Sequence, residues 1–501
     1  MSFHRRNFRA AAAIAACAGL VLSGSATAAA AQTVPSGELG DSIERSALQR
    51  HLIAMQRIAD AHDGNRVAGS VGHETSAEYV AQRLEEKGFE ITRQEFPFTY
   101  TETLAEKLTV GGEDVPVTVM SYSKSTEEGG LTAPLAAVES DDTPGCEAED
   151  YGDVTGKIAL VERGECDFAQ KQAAAADAGA VAALIYNNEP GELNGTLGDA
   201  ESARIPTGGV AQEDAQKLID ADGEDITVEL RELQEERTTY NLIAETTTGR
   251  DDNVVMAGAH IDSVVDGPGI NDNATGAVGL LETALQMGGS PDINNKVRFA
   301  WWGAEEFGLV GSTHYVNSLS ADEQLDIALY LNFDMIGSPN AGYFTHDGTY
   351  PDSGLPYGSN AITEAFTESM AGRDIEVEAE PVNGRSDYAE FAAYGIPIGG
   401  VYTGAEGKKT EEQAEKWGGE AGVAYDSCYH TPCDNLGNVD YDALAVNGQG
   451  LADVIDGYAM STEDVNGIAP QEAKDRAAVA EQRSAQQRAA VATADSEALA
   501  R

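Results

Sequence analysis

The sequence predicts an α/β protein: a mixed, mostly parallel sheet sandwiched by helices, with a β-rich domain inserted into it. Three observations predict it. Strand-like apolar runs alternate with helix-period segments up to about residue 100 and again from residue 240, the pattern of a sheet with helices on both faces. Residues 104–232 change texture, to short β-like runs with few helices. Histidines and acidic residues gather where the predicted strands end, the edge at which such sheets bind ligands.

The first residues stand apart. Arg5, Arg6 and Arg9 precede an apolar run over 10–22 and the small-residue pattern Ala26-Thr27-Ala28, which reads as a secretory signal peptide over 1–28. Arg5-Arg6-Asn7-Phe8 also fits a twin-arginine export signal. Ile14-Ala15-Ala16-Cys17 resembles a lipoprotein cleavage box, although the apolar run continues past Cys17. The run is short for a membrane span, so a secreted protein is expected, with an N-terminal anchor as the alternative.

The main domain is expected over 40–103 and 233–460. Ile43, Ala47, Leu48, Leu52, Met55 and Ile58 recur at helical spacing, a second helix is expected over 77–87, and 89–98 alternates like a strand. In the insert, 117–120, 158–161 and 180–186 read as strands, with a helix over 168–178. The α/β pattern then resumes with strands at 240–244, 254–257, 297–301 and 327–333 and helices over 275–286 and 308–317. Residues 461–501 form a tail rich in Ala, Gln, Glu and Arg, read as a solvated helix or a disordered segment without a function of its own.

The formal net charge of −52 argues against nucleic acid and anionic membranes as partners. Of five cysteines, the four beyond the signal fall into two close pairs, Cys146 with Cys166 and Cys428 with Cys433. In an exported chain that predicts two disulfides, and no C-x-x-C pair offers a zinc site.

Five strings carry the chemistry. His260, just past the strand at 254–257, faces the ligand edge, and Asp262 can accept its other ring N–H and fix the tautomer. Taken alone, it could equally be a loop histidine. Asp272, in Gly269-Ile270-Asn271-Asp272-Asn273, stands where a helix begins and could bridge two metals or simply cap the helix. Glu305 and Glu306 lie in the apolar string Trp301-Trp302-Gly303-Ala304-Glu305-Glu306-Phe307, where two buried carboxylates need a metal or a partner. Asp334 ends the strand at 327–333, and His430 lies in a small loop that a Cys428–Cys433 bridge would close. Two histidines, three acidic ligands and a free glutamate suit two Zn²⁺ ions sharing a carboxylate: His260 and Asp334 on one, Glu306 and His430 on the other, Asp272 between.

The strings AGAHIDSV, GINDNATGA, FAWWGAEEFGLVGS, YLNFDMIGSPN and CYHTPCDNL closely resemble those of secreted bacterial leucine-type aminopeptidases, the co-catalytic two-zinc family that includes aminopeptidase Y. The resemblance spans about 40–97 and 238–458 and implies a zinc-exopeptidase fold of the phosphorylase/hydrolase-like type. It implies that His260, Asp272, Glu306, Asp334 and His430 bind zinc, that Glu305 is the general base and that Tyr429 hydrogen-bonds the oxyanion. A water acidified by the metals would be the nucleophile. Gly384-Arg385-Ser386-Asp387 and the string 399–405 also match, implying substrate contacts by Arg385 and Tyr402, with Met335 beside Tyr402 in the pocket for the first side chain. Residues 104–232 resemble a protease-associated (PA) domain, through 156–168 and the helix that follows. The expected activity is removal of a large apolar first residue, such as leucine, from peptides with a free N-terminus, by a monomer. A glutaminyl cyclase on the same scaffold is the alternative; a carboxypeptidase would need a basic pocket, for which Arg385 is the one nearby candidate.

Overall fold

The computed structural model describes residues 38–139, 143–198, 201–349, 353–470 and 472–485. The expected signal peptide at 1–28 and the end of the tail, 486–501, lie outside the described residues. No described helix is long and apolar enough to cross a membrane.

The sheet of the main domain runs, strand by strand, Glu378–Glu380, Phe344–His346, Ile398–Tyr402, Ile327–Phe333, Arg250–His260, Asn295–Trp302, Asp225–Glu245 and Glu90–Val110. Its centre is parallel, from Ile398–Tyr402 through Asn295–Trp302. The strands on either side, Phe344–His346 and Asp225–Glu245, pair antiparallel with it. All seven residues of Ile327–Phe333 are buried, as a strand covered on both faces requires. The helices Arg45–Ala61, Val71–Glu86, Gly276–Met287, Ser359–Ala371 and Tyr441–Met460 supply one face, and Val310–Ser318 and Tyr388–Ala393 the other. The Trp301-Trp302 pair shows the two-sided core at one point. Successive strand residues face opposite sides, so Trp301 packs into the first layer and Trp302 into the second. Each contributes about 4–6 kcal/mol of transfer free energy when fully buried, and both indole N–H groups are satisfied, by the Ala277 carbonyl at 3.0 Å and the Tyr330 hydroxyl at 2.8 Å.

Arg250–His260 is followed in sequence by a strand on one side, Asn295–Trp302, and then by one on the other, Ile327–Phe333. The strand order therefore reverses at Arg250–His260, and the carboxyl end of such a strand is where sheets of this kind bind ligands.

Several boundaries differ from expectation. The helix expected at 77–87 begins at Val71, because Ser70 accepts the His73 N–H at 3.2 Å and caps it. Its first turn holds few large apolar residues, so periodicity does not reveal it. The strand expected at 89–98 runs on as Glu90–Val110, paired with Asp225–Glu245 over almost its whole length, with a register shift between Thr103 and Ala105. A two-stranded ribbon thus leads into the insert, whose strands Leu131–Ala137, Ile158–Glu162, Ala182–Tyr186 and Thr207–Val210 pair in that order. The described part of the tail is helical and largely exposed over 476–485, as a solvated helix would be. Arg476 pairs with Asp326 there, and Arg483 donates to the Gln324 and Ile327 carbonyls at 2.9 and 2.8 Å, contacts that leave no apolar period in the sequence.

Candidate metal centre

Register brings the site together. Trp302 lies opposite His260 and Asn332 opposite Gly258, so Glu305, Glu306 and Asp334, one to four residues beyond their strands, meet His260 at one edge. His260 Nε2 is 3.2 Å from Asp272 Oδ1, 3.3 Å from Asp334 Oδ1 and 4.0 Å from Glu305 Oε2. His430 Nε2 is 3.1 Å from Asp272 Oδ2 and 3.0 Å from Glu306 Oε2. Each oxygen of Asp272 therefore faces one histidine, the placement of a bridging carboxylate. Glu305 is buried and faces the same space from the His260 side.

This donor set could hold metal: His260, Asp272 and Glu306, and His260, Glu305 and Asp334, each bring ligand atoms within 4.8 Å of one another. Glu306 Oε1, Asp334 Oδ1 and His260 Nδ1 are buried without a hydrogen-bond partner, whereas buried polar atoms are normally satisfied. Burial opposes charge on both imidazoles, yet the neighbouring carboxylates prevail. Glu305 and Asp334 raise His260 well above its usual value, and Glu306 and Asp272 push His430 up to about 11. Burial raises Glu305 well above the ordinary carboxylate range, with His260 opposing and nearby acids adding to it. So much negative charge in one buried place attracts cations.

The peptide around these groups is unusual. Ala304, Met335 and His430, each next to or within a ligand string, have φ of 58°, 54° and 57°. Left-handed non-glycine residues cost about 1–3 kcal/mol each and gather at functional sites.

Asp262 faces His260, its Oδ1 3.6 Å from Nδ1, and favours the charged imidazole. It also accepts the Glu305 and Glu306 N–H groups at 3.3 and 3.4 Å and so holds the glutamate turn. Tyr429 stacks on His430 with ring centroids 3.8 Å apart, and its hydroxyl accepts from Arg385 at 3.2 Å. Burial, with Asp272 and Glu306 nearby, raises the phenol's pKa, so it stays a donor. Arg385 also pairs with Glu406 at 2.6 Å on the half-exposed rim. Met335 is buried beside Asp334, its carbonyl accepting from Thr403 N–H at 2.9 Å, which places Tyr402 next to it. The Tyr402 hydroxyl donates to Glu380 at 2.6 Å. Both expected disulfides are present, Cys146–Cys166 and Cys428–Cys433, the second flanking His430.

Three supports were not foreseen. Asp434 accepts the Asn271 and Asp272 N–H groups at 2.8 and 3.0 Å and so fixes the turn that presents Asp272. A chain of donors runs from Trp302 through Tyr330 and Asn332 to Ser386, which donates to Asp334 at 2.6 Å. Arg66, wholly buried, donates to the carbonyls of Ile261, Pro268 and Gly269 beneath the site. Asp434 and Ser386 stand inside strings already singled out; Arg66 has no local signal at all.

Peptidase family M28 matches residues 241–455, and the PA domain matches 131–218. The probable lipoprotein aminopeptidase LpqL of Mycobacterium tuberculosis (strain ATCC 25618 / H37Rv) is 43% identical over 86% of this chain and 88% of its own. Leucine aminopeptidase 2 of Trichophyton rubrum is 42% identical over 85% of this chain and 87% of its own. Among solved structures, BSAP, a zinc aminopeptidase from Bacillus subtilis, superposes with a TM-score of 0.61 at 26% identity, covering 82% of this chain and 94% of that one. With the acidic and histidine residues gathered at the reversal of strand order and an insert that matches independently, the chain belongs to peptidase family M28 and carries a PA domain.

Proposed function

We propose that the protein is an exported aminopeptidase using two zinc ions to remove a large apolar first residue, such as leucine, from peptides with a free N-terminus. The observation that carries this reading is Asp272 set between two histidines, each with a further carboxylate. The zinc named for the Bacillus subtilis structure and the leucine named for the Trichophyton rubrum relative agree with it.

His260 and Asp334 would hold one ion, Glu306 and His430 the other, with Asp272 shared. Zinc bound there would supply Lewis acidity, polarising the scissile carbonyl and acidifying water. Glu305, made more basic by burial, takes the proton from the attacking water and delivers it to the leaving amine. Tyr429 donates to the developing oxyanion, its position fixed by Arg385 and by stacking on His430. The carboxylates beside the two histidines receive the substrate's α-ammonium group, which limits cleavage to one residue. Met335 and Tyr402 line the first side-chain pocket; with its hydroxyl engaged by Glu380, Tyr402 offers mainly its ring. Two disulfides suit an oxidising compartment outside the cytoplasm.

Anilides of leucine, arginine and glutamate, with N-acetyl-leucine anilide as control, test the reading together with metal analysis. Leucine anilide should be cleaved fastest, the acetylated control not at all, and a chelator should abolish activity until zinc is returned, at two ions per chain. Chelator-resistant activity or cleavage of the blocked substrate would contradict it.

The bridge beside His430 gives a second test. Cys433→Ser frees the loop, so zinc affinity should fall about 10- to 100-fold, the usual effect of losing a ligand's support. Competition against a chromophoric chelator measures it, and unchanged affinity would show that the loop is held by other contacts.

A further inference from the structure

The turn that carries Glu305 and Glu306 is held from two directions. From below, Asp262 accepts both of their N–H groups. From the inserted domain, the Tyr122 hydroxyl donates to the Phe307 carbonyl at 3.1 Å. The turn calls for such support. Ala304 and Leu309, which bracket it, have φ of 58° and 59°, a region that side-chain-bearing residues rarely occupy. The Phe307 ring is fixed as well, with the Phe98 and Tyr100 rings 5.2 and 5.4 Å away on the strand that leads into the insert.

Tyr122 can act as a rigid strut because it is itself anchored. Its N–H donates to Glu232 Oε2 at 2.9 Å, and the neighbouring Ser121 N–H donates to the Gly195 carbonyl at 2.9 Å, inside the insert. The bond to Phe307 therefore ties the body of the insert to a point two residues from Glu305 and one from Glu306.

We propose that Tyr122 is a positioning residue: through its hydrogen bond to the Phe307 carbonyl, the inserted domain sets the placement of the Glu305 carboxylate. The inference rests on Glu305 acting as the base. Placement errors of about 1 Å at a reacting group can lower rates about 100-fold, so a change in this turn should appear in kcat more than in KM. The phenyl ring of Tyr122→Phe preserves packing and removes one donor.

The experiment compares wild type, Tyr122→Phe and Tyr151→Phe in the full chain, measuring kcat and KM for leucine anilide, zinc content and Tm. Tyr151 lies within the insert, donating to the Gly145 and Lys171 carbonyls at 3.0 and 2.8 Å, and serves as the stability control. Tyr122→Phe is expected to lower kcat about 5- to 20-fold, with KM and zinc content near wild type and little change in Tm. Tyr151→Phe is expected to lower Tm and keep kcat. An unchanged kcat in Tyr122→Phe, or equal losses in both variants that track Tm, would overturn the strut alone. A wild-type protein that does not hydrolyse the anilide with zinc supplied would overturn the aminopeptidase reading, and the strut with it.

Discussion

Replacing Glu305 with glutamine is expected to lower kcat about 1,000-fold, within the range that a general base contributes, while both zinc ions stay bound. Glutamine keeps the shape of the side chain but cannot take a proton. Glu305 Oε2 is 4.0 Å from His260 Nε2, farther than the Asp272 and Asp334 oxygens at 3.2 and 3.3 Å, but still near enough to His260 and Asp334 to share an ion with them, so the variant also tests whether Glu305 is a ligand. Burial also raises its affinity for a proton, which suits a base that must hold one between two steps. Steady-state kinetics with metal analysis on the same sample check this. A variant that loses zinc in proportion to activity would make Glu305 a ligand, and one with near-native turnover would remove it from the mechanism.

Arg66→Met should lower stability by about 3–5 kcal/mol, as breaking a buried charge network does, and should weaken zinc binding at the same time. The guanidinium is wholly buried and donates to three carbonyls of the 261–269 loop, which runs from the residue after His260 to the turn before Asp272. Burial pulls its pKa down to about 10, while Asp262, Asp434, Asp272 and Glu306 hold it up, so it stays charged at neutral pH. Methionine fills much of the volume but leaves those carbonyls without their donor and the carboxylates without their fixed cation. Arg66→Lys should fall between the two, since an ammonium keeps the charge but not the planar fork. Thermal unfolding and zinc titration measure the effects. A methionine variant with native Tm and native zinc content would show that the loop is held without Arg66.

The candidate site was legible because it is locally written. His260, Asp334 and the Glu305-Glu306 pair each follow a strand whose apolar run is plain in the sequence, and parallel strands present such residues at one edge. The strands at 254–257, 297–301 and 327–333 lie within Arg250–His260, Asn295–Trp302 and Ile327–Phe333. Cys428 and Cys433 were readable as a pair because a bridge over so short a separation needs no knowledge of the fold.

What stayed hidden depends on residues far apart in the chain. Arg66 reads as a loop arginine until the 261–269 carbonyls close around it. Asp262 stands beside His260 in the sequence, but its acceptance of the Glu305 and Glu306 N–H groups, some forty residues on, shows only in the fold. The Tyr122–Phe307 contact joins two domains across 185 positions. By itself, then, the sequence determined which groups are candidates for the chemistry and the edge of the sheet on which they stand, because strand patterning and strand ends are local properties. The tertiary structure alone decided what holds those groups in place. A hydrogen bond between remote segments leaves no periodicity in either of them, and it exists only once the sheet has brought both to the same edge.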